Sequence, residues 1–315
     1  RRRQTCPVAL FFKRERMQTP PVCNYEGSDY QTSFWEKGGR AYEDGCEAVA
    51  LKRLLPPSGS HLLELGAGAG RNTPRYHGYR KVTLLDYSRT QLEQAKARLG
   101  SSDRYRYVAA DIYRLPFVDG LFDGATMIRT LHHMMDAPLA LAQVRRVLQP
   151  SSTFILEYAN KRNIKSILRY WLRKQAWSPF TREQVEYLPL NFDFHPAAVR
   201  SWMADAGFRI QRTLTVSHLR LGLLKRTLPT GLLVALDSLF SLTGNCWQLT
   251  PSVFLKAQAD EKGNLASDGA FFACPACSTH LEDTPPLLRC TNCGADFPVI
   301  DGIYDMRLNA PAGVD

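Results

Sequence analysis

The stretch HLLELGAGAGR at residues 61–71 decides which fold the sequence predicts. Its first five residues are rich in leucine, as in a buried strand, and glycines follow at alternate positions. Glycine permits a tight turn in which the backbone approaches a ligand closely. A helix that begins after such a turn directs its first N–H groups at a polar or anionic group. The stretch therefore predicts a strand, a ligand-binding turn and a helix.

Strand and helix patterns alternate from this stretch onward, which indicates βαβ units in a parallel sheet covered on both faces. We expect an α/β fold with a doubly wound sheet of seven strands, closed by a hairpin. Ser88 and Gly100 are typical start and stop signals of a helix after the second strand. The expected strands are 61–65, 81–86, 105–109, 122–129, 153–157, 208–217 and 252–257, and the expected helices 88–99, 138–147 and 195–206.

The composition is that of an ordinary globular protein, with 44% hydrophobic and 22% charged residues among 315. The most apolar stretch, residues 231–242, is interrupted by Asp237 and is shorter than the roughly 20 residues of a membrane-spanning helix. The first residues hold an apolar run too short for a secretory signal. Because the chain does not begin with Met, residues 1–16 are interpreted as a leader or an over-extended start. We expect a cytoplasmic protein with no transmembrane segment.

Charge is unevenly distributed along the chain, whose net charge is +10. Residues 271–315 hold six acidic and two basic side chains, a balance of −4 that leaves +14 for the remainder. A basic body is compatible with nucleic acid, with anionic lipid or with solubility alone. Within it, residues 161–174 (KRNIKSILRYWLRK) predict a basic amphipathic helix, with Lys161 on its basic row.

Four of the eight cysteines form two CxxC pairs separated by 12 residues. A disulfide framework does not need this regularity, so the pattern indicates a reducing compartment and a metal site. Two CxxC turns complete a closed tetrahedral zinc site, and four thiolates leave no open position for catalysis. We therefore expect a structural Zn²⁺ held by Cys274, Cys277, Cys290 and Cys293.

Composition shifts divide the chain into four parts. Polar and small residues replace the hydrophobic pattern before the cysteine pairs, as in a linker. Two segments rich in apolar residues do not fit the alternating scheme and are interpreted as insertions, at about 161–190 and 219–249. The expected parts are an N-terminal extension (1–33), the α/β domain (34–257), the linker (258–270) and a zinc-ribbon module (271–307).

Two aspartates follow the second and third strands of the predicted sheet. Asp86 lies 20 residues after Gly66, where a carboxylate accepts both ribose hydroxyls of an adenosine. A nicotinamide-dependent dehydrogenase fits equally well up to this point. Asp111, after the third strand, favours another class, because a carboxylate there accepts from an adenine amino group.

Together these elements resemble the class I S-adenosylmethionine-dependent methyltransferases with their Rossmann-like sheet, over about residues 34–257. The motifs that carry the resemblance are the glycine stretch, Asp86, DIYRLPF at 111–117, MIRTLHHMMD at 127–136 and RRVLQP at 145–150. The resemblance implies that Glu64 lies near the methionine ammonium and that Asp86 binds the ribose. It further implies a cofactor site formed with Gly66, Ala67, Gly68, Gly70, Asp111 and Ile112.

Candidate residues for the transfer step follow the fourth strand, because ligands bind beyond the carboxyl ends of the strands of such sheets. Arg129 is placed with the cofactor, and His132 and His133 are the candidate bases. His132 is preferred, since histidine titrates near neutral pH, although a packing histidine at a helix start explains it equally well. Methyl transfer needs a base only for a protonated nucleophile, so no catalytic residue is obligatory.

The cysteine pairs and the following FPVIDGIYDM (297–306) resemble the small zinc-ribbon activators of tRNA, rRNA and release-factor methyltransferases. The sequence predicts that this acidic module docks on the basic body through the apolar residues Phe297, Val299, Ile300 and Ile303, with charge setting the geometry. A mobile module whose apolar residues form its own core is the alternative.

Three functions remain open at this point. A methyltransferase that acts on a small molecule or lipid is supported by the apolar insertions, which would roof a hydrophobic pocket or touch a membrane surface. It is slightly favoured, because the basic helix has too few exposed aromatic residues to stack on single-stranded bases. An RNA or translation-factor methyltransferase is the alternative, supported by the basic segment and the zinc-ribbon module. A catalytically silent binding scaffold is the third.

Overall fold

The computed structural model describes residues 20–28 and 31–308. Its helices are α1 Ala41–Leu54, α2 Arg89–Leu99, α3 Ala137–Val147, α4 Ile164–Trp171, α5 Pro196–Asp205, α6 Gly222–Thr227 and α7 Thr230–Phe240. Its strands are β1 Gly59–Leu65, β2 Tyr79–Asp86, β3 Tyr105–Ala109, β4 Phe122–Met127, β5 Leu148–Ala159, β6 Val185–Leu188, β7 Asn191–Asp193, β8 Phe208–Val216, β9 Ser252–Ala259, β10 Phe272–Ala273, β11 His280–Leu281, β12 Leu287–Arg289, β13 Asp296–Ile300 and β14 Ile303–Asp305. The interpretation of residues 1–16 concerns a part of the chain outside the described residues.

A central sheet contains the seven predicted strands in the order β3-β2-β1-β4-β5-β9-β8. Its first five strands are parallel, and β9 and β8 are antiparallel to their neighbours. The doubly wound α/β fold with a closing hairpin is therefore confirmed. The sheet is longer than predicted, because β14, β13 and β12 of the C-terminal segment extend it past β3 to ten strands.

Local sequence signals explain where the helices begin. The Ser88 hydroxyl accepts a hydrogen bond from the Gln91 N–H at the start of α2, and Gly100 ends that helix with a φ of 81°. Asp136 caps α3 in the same way through the Leu139 N–H. These caps satisfy N–H groups that a helix leaves without partners in its first turn.

Two apolar clusters cover the two faces of the sheet. Successive residues of a strand point to opposite faces, so Leu62 and Leu84 pack with α1 and α2, and Leu63 and Leu85 pack with α3 and α5. Each fully buried aliphatic side chain contributes roughly 1.5–3 kcal/mol of burial free energy. The core therefore lies directly beneath the carboxyl ends of the parallel strands and holds them in fixed register.

The junction of the C-terminal segment with the sheet is formed by backbone pairing. Strand β14 lies parallel to β3, with Tyr304 opposite Val108. An edge strand presents unpaired N–H and C=O groups, and β14 satisfies those of β3. Phe272 of the C-terminal segment also forms an antiparallel β-bridge with Phe117, which follows β3 in the chain. Segment and sheet therefore share one hydrogen-bonded ladder.

The basic segment at 161–174 differs from its prediction. Helix α4 is shorter, and Lys161 lies before it, buried, with its Nζ donating to the Thr181 and Glu183 carbonyl oxygens. The expected row of basic residues therefore begins at Lys165 rather than Lys161. Among residues 20–28 and 31–308, no helix combines the length and the apolar character needed to cross a membrane.

Candidate functional site

A cleft opens at the carboxyl ends of β1 to β4. The lining residues form two groups according to the strands that they follow. The glycine-loop side follows β1, β2 and β3 and consists of Glu64, Gly66, Ala67, Gly68, Asp86, Asp111 and Ile112. The β4 side consists of Ile128, Arg129, Thr130, His133, Met134 and Trp35.

The glycine loop is shaped by its conformation and by its neighbours. Gly66 has a φ of 66°, and a Cβ atom built on it would lie 2.1 Å from the Thr130 Oγ1 atom, so only glycine fits. Gly68 has a φ of 53°, and the nearest atom to a Cβ there is 3.8 Å away. The backbone at Gly68 thus borders open space, as a ligand-binding turn requires.

The two predicted aspartates line the cleft and are oriented by backbone N–H groups. Asp86 accepts hydrogen bonds from the Gly68 and Ser88 N–H groups at 2.8 and 2.9 Å. Asp111 accepts from the Tyr113 N–H at 2.8 Å. Burial raises the pKa of both carboxyl groups, and these hydrogen bonds oppose the shift. A carboxylate has about four lone-pair sites, so each retains capacity for ligand hydroxyl or amino groups.

Glu64 is almost completely buried at the end of β1. The Thr73 hydroxyl donates to its Oε2 atom at 2.6 Å. Burial raises the pKa of this carboxyl group to about 7, because a charged carboxylate is poorly solvated there. A cationic group bound beside Glu64 would stabilise the charged form.

Gly70 lies apart from the other residues of the loop. A Cβ atom there would be 2.9 Å from the Leu99 Cδ1 atom and 3.2 Å from the Ala95 Cβ atom, both on α2. Its φ of 70° also favours glycine. The structure thus places Gly70 in the packing between the loop and α2, while the other predicted residues of the loop line the cleft.

Arg129 lies two residues after the end of β4 and lines the cleft. Its N–H donates to the Glu157 Oε2 atom at 2.9 Å, and its guanidinium pairs with Glu47 of α1. Its guanidinium carbon lies 4.9 Å from the Trp35 ring, whereas that of Arg71 lies 3.5 Å from the same ring. Two cations therefore hold Trp35 at the cleft.

The two candidate histidines have different positions. His133 lines the cleft, and its Nδ1 atom lies 3.0 Å from the Leu190 carbonyl oxygen. A carbonyl oxygen only accepts, so Nδ1 carries the hydrogen and the neutral ring leaves Nε2 as an acceptor for the Tyr25 hydroxyl at 3.2 Å. Burial lowers the pKa of His133, which keeps Nε2 unprotonated at neutral pH.

The His132 ring packs against that of His133, with 4.0 Å between the ring centroids and an interplanar angle of 44°. Burial, together with the neighbouring His133 and Arg129, lowers the pKa of His132 well below its ordinary range. The ring is therefore neutral, and it packs against His133 without lining the cleft. Of the two, His133 is the one with a lone pair beside the cleft.

A segment that the sequence analysis left out covers the glycine-loop side. Val22, Cys23 and Tyr25 line the cleft, although they belong to the expected N-terminal extension. Glu26 holds this segment by accepting from the Arg89 and Thr90 N–H groups at the start of α2. We call residues 20–28 the strap. The strap has no hydrophobic periodicity that would predict a helix or strand. The one signal in its sequence is Glu26, because an acidic residue is suited to the N-terminus of a helix.

The four predicted metal ligands come together in the C-terminal module. Their sulfur atoms all lie within 4.8 Å of one another, with 3.6 Å between Cys274 and Cys293 and 3.5 Å between Cys277 and Cys290. Sulfur atoms 2.3 Å from a tetrahedral zinc ion are about 3.8 Å apart. The cluster therefore has the composition and spacing of a four-thiolate metal site.

Comparison with known proteins identifies the domain. Residues 63–156 match the family model of the methyltransferase domain. The O-methyltransferase cnsE of Penicillium expansum is 38% identical over 142 residues, which cover 41% of this chain and 51% of that protein. The demethylmenaquinone methyltransferase of Clavibacter sepedonicus is 29% identical over 172 residues, covering 51% of this chain and 70% of that protein.

Two solved structures share the fold. A chain from the Haloferax volcanii complex of the Trm112 methyltransferase activator with a methyltransferase has a TM-score of 0.53 at 16% identity, covering 74% of this chain and 96% of that one. An S-adenosylmethionine-dependent methyltransferase of Listeria monocytogenes has a TM-score of 0.51 at 17% identity, covering 70% and 99%.

The chain therefore carries a methyltransferase domain, and its fold is that of the class I S-adenosylmethionine-dependent methyltransferases. The chain spans about half the length or less of two curated O-methyltransferases that it matches, 51% of the Penicillium expansum protein and 40% of one from Aspergillus sclerotiorum. The resemblance inferred from the glycine stretch, the two aspartates and the cysteine pairs is confirmed.

Proposed function

We propose that this protein transfers a methyl group from S-adenosylmethionine to a small molecule, at an oxygen, carbon, ring-nitrogen or carboxylate acceptor. The observation that carries the proposal is the convergence of the glycine loop, Glu64, Asp86 and Asp111 on one cleft at the carboxyl ends of parallel strands. Relatives described as O-methyltransferases and as a quinone methyltransferase support a small acceptor.

The glycine-loop side fits the parts of this cofactor. Gly68 gives backbone access, Asp86 has acceptor capacity for ribose hydroxyl groups, and Asp111 with the Ile112 N–H is suited to adenine. Glu64, with a pKa of about 7, gains a partner when a cation binds beside it. When bound, S-adenosylmethionine supplies an electrophilic methyl group on a sulfonium, so positioning and exclusion of water supply most of the rate.

The β4 side would hold the acceptor, and we propose His133 rather than His132 as its base. The Leu190 carbonyl fixes the hydrogen on Nδ1, and Nε2 is left to accept a proton from an acceptor hydroxyl. Tyr25 orients this nitrogen and would move with the strap when an acceptor enters. Trp35, whose ring lies near the guanidinium groups of Arg71 and Arg129, adds an aromatic wall to the cleft.

Mass spectrometry of metabolite and nucleic-acid pools, with and without the gene, tests the proposed function. We expect one small-molecule species to lose a single methyl increment when the gene is absent. Loss of a methyl group from tRNA, rRNA or a translation factor would favour the alternative acceptor. No lost increment, together with calorimetric binding of S-adenosylmethionine, would indicate a binding scaffold.

We further propose that the four cysteines hold a structural Zn²⁺. The short sulfur distances are those expected around one tetrahedral ion, and four thiolates complete its coordination. A closed site offers no position for a substrate, so the metal would stabilise the module and take no part in methyl transfer.

The zinc module, we propose, stays docked on the methyltransferase domain in solution. Ile303 is buried opposite Tyr107 in the shared ladder, and Arg106 of the body pairs with Asp283 of the module at 3.2 Å. Lys96 donates to the Asp301 carbonyl oxygen. Of the four apolar residues expected at this contact, Ile300 is 40% exposed and therefore contributes little buried surface.

The position of Arg307 gives the docked module a part in the cleft. Its guanidinium pairs with Glu26 of the strap at 3.1 Å and donates to the carbonyl oxygen of Tyr87, a cleft-lining residue. Asp305 fixes the same guanidinium at 2.6 Å. We propose that the module thereby holds the strap over the cofactor site.

A further inference from the structure

Helix α4 presents its apolar side to solvent. Ser166 and Ile167 face the protein, whereas Ile164, Leu168, Trp171 and Leu172 are 57%, 49%, 67% and 63% exposed. Their spacing places these four residues on one stripe of the helix. A surface helix normally turns its apolar stripe to the core, so this helix has the opposite orientation.

Basic side chains flank the exposed stripe. Residues 161–174 contain no acidic residue, and Arg162, Lys165, Arg169, Arg173 and Lys174 are all exposed. Within residues 20–28 and 31–308, none of these five forms an ion pair with a carboxylate. The stripe therefore lies within an uncompensated positive field.

A second group of exposed apolar residues adjoins the start of α4. The Ile164 N–H donates to the Leu249 carbonyl oxygen at 2.9 Å, so the segment that contains Trp247 and Leu249 lies beside the helix. Trp247 is 62% exposed. The chain reaches this segment from the end of α7, where exposed apolar side chains continue at Leu239, Phe240 and Leu242.

We propose that α4, together with Trp247 and Leu249, is a membrane-binding surface for anionic lipid. A helix in the plane of the interface inserts its apolar stripe between headgroups while its basic residues contact lipid phosphates. Tryptophan at the rim suits this position, because its ring has an apolar body and a polar N–H. Exposed patches of this kind mark interaction sites.

A nucleic acid fits the same surface less well. Its phosphates would pair with the five basic side chains but would leave the isoleucine and leucines of the stripe in contact with a charged backbone. A lipid interface satisfies both features at once, since it offers hydrocarbon beneath the phosphates. Anionic lipid is therefore the partner that would contact both the apolar stripe and the basic side chains beside it.

Flotation of the full chain with vesicles tests the proposal. We expect binding to phosphatidylcholine vesicles that contain phosphatidylglycerol, and little binding to phosphatidylcholine alone. The double variant Lys165→Gln/Arg169→Gln should bind the anionic vesicles about 30-fold more weakly, from two lost basic contacts. The control Lys52→Gln/Lys81→Gln removes two exposed basic residues on α1 and β2 and should bind like the unmodified protein.

Tryptophan fluorescence gives a second readout of insertion. Brominated acyl chains should quench the emission of the vesicle-bound protein, and Trp171→Tyr should lose a large part of that quenching. Absence of binding to anionic vesicles would overturn the proposal, as would equal loss of binding in the control pair. Salt-sensitive binding of single-stranded RNA without vesicle binding would assign the surface to nucleic acid instead. Neither measurement involves methyl transfer, so the proposed function is tested separately.

Discussion

On the glycine-loop side of the cleft, the polar side chains lie at the ends of parallel strands, and Asp86 and Asp111 are held there by backbone N–H groups. On the β4 side, the arrangement depends on partners from distant segments, a carboxylate in one case and a backbone carbonyl in the other. Arg129 is held by Glu47 of α1, and His133 by Leu190 of the first insertion.

This difference shows how one cleft combines two requirements. Short sequence motifs are enough to form the binding site of a ligand that many proteins share, because strand ends and helix starts place backbone groups in the same geometry each time. A particular acceptor needs side chains brought from segments that vary. We therefore expect changes on the glycine-loop side to alter cofactor affinity and changes on the β4 side to alter the transfer step.

The largest expected effect concerns the zinc module, whose strand β14 pairs with β3 next to the glycine-loop side. Cys290→Ser should abolish stoichiometric zinc, since structural zinc binding is worth on the order of 10 kcal/mol. Without the metal, β14 should separate from β3, and small-angle scattering should show a larger radius of gyration than that of the unmodified protein.

Elemental analysis checks the metal content in this experiment. Cys246→Ser is the control, because Cys246 is exposed and lies outside the cluster. If Cys290→Ser retains one zinc ion per chain, the proposed ligand set is wrong. A zinc-bound protein that scatters as two separated bodies would contradict docking instead.

The next effect separates the two sides directly. His133→Asn should lower kcat about 100-fold for an acceptor that must lose a proton, with the affinity for S-adenosylmethionine nearly unchanged. His77→Asn, at an exposed position, is the control. The rate should be measured on the acceptor found by mass spectrometry. If the variant also binds S-adenosylmethionine more weakly, His133 contributes to cofactor binding, and its assignment to the transfer step is wrong.

The pH dependence follows from the direction of the His133 shift. Burial lowers the pKa of this imidazole from 6.5, so the base stays unprotonated at neutral pH and becomes protonated only at lower pH. The acid limb of the rate should therefore lie at a lower pH than that of an ordinary histidine, and His133→Asn should lack this acid limb. An unchanged profile in the variant would exclude His133 as the base.

A smaller effect is expected from the central residue of the glycine-loop side. Asp86→Ala should weaken binding of S-adenosylmethionine by at least ~1.5 kcal/mol, about tenfold, through the loss of charge-assisted hydrogen bonds. Isothermal calorimetry measures the affinity, and a thermal melt verifies folding. Asp103→Ala removes an exposed aspartate as the control. Unchanged affinity in a folded Asp86 variant would refute the assignment.

The smallest effect tests whether the zinc module reaches the cleft. Arg307→Gln removes the ion pair with Glu26 together with the one with Asp305, so the strap should close less firmly and cofactor affinity should fall about threefold, as for a partly exposed pair. Arg289→Gln breaks an exposed pair with Asp296 within the module and is the matched control. Equal affinities in the two variants would restrict the module to a stabilising role.

Much of the fold could be predicted from local patterns. The strand, turn and helix at 61–71 and the cap at Ser88 depend on residues close together in the chain. The two CxxC pairs likewise predicted a cluster of four thiols, because each pair is a short turn. The division into domains at residues 33, 257 and 270 stays a prediction, although the strap and β14 both form hydrogen bonds with the α/β domain.

The sequence by itself determined the doubly wound sheet, the glycine loop and the four-cysteine module, since periodicity and short spacing express contacts between neighbouring residues. Only the tertiary structure decided that β14 lies beside β3, that the strap covers the cleft and that His133 rather than His132 faces it. The same holds for the outward stripe of α4. Each of these features depends on contacts between segments far apart in the chain. Such contacts produce no periodic pattern in the sequence from which they could be predicted.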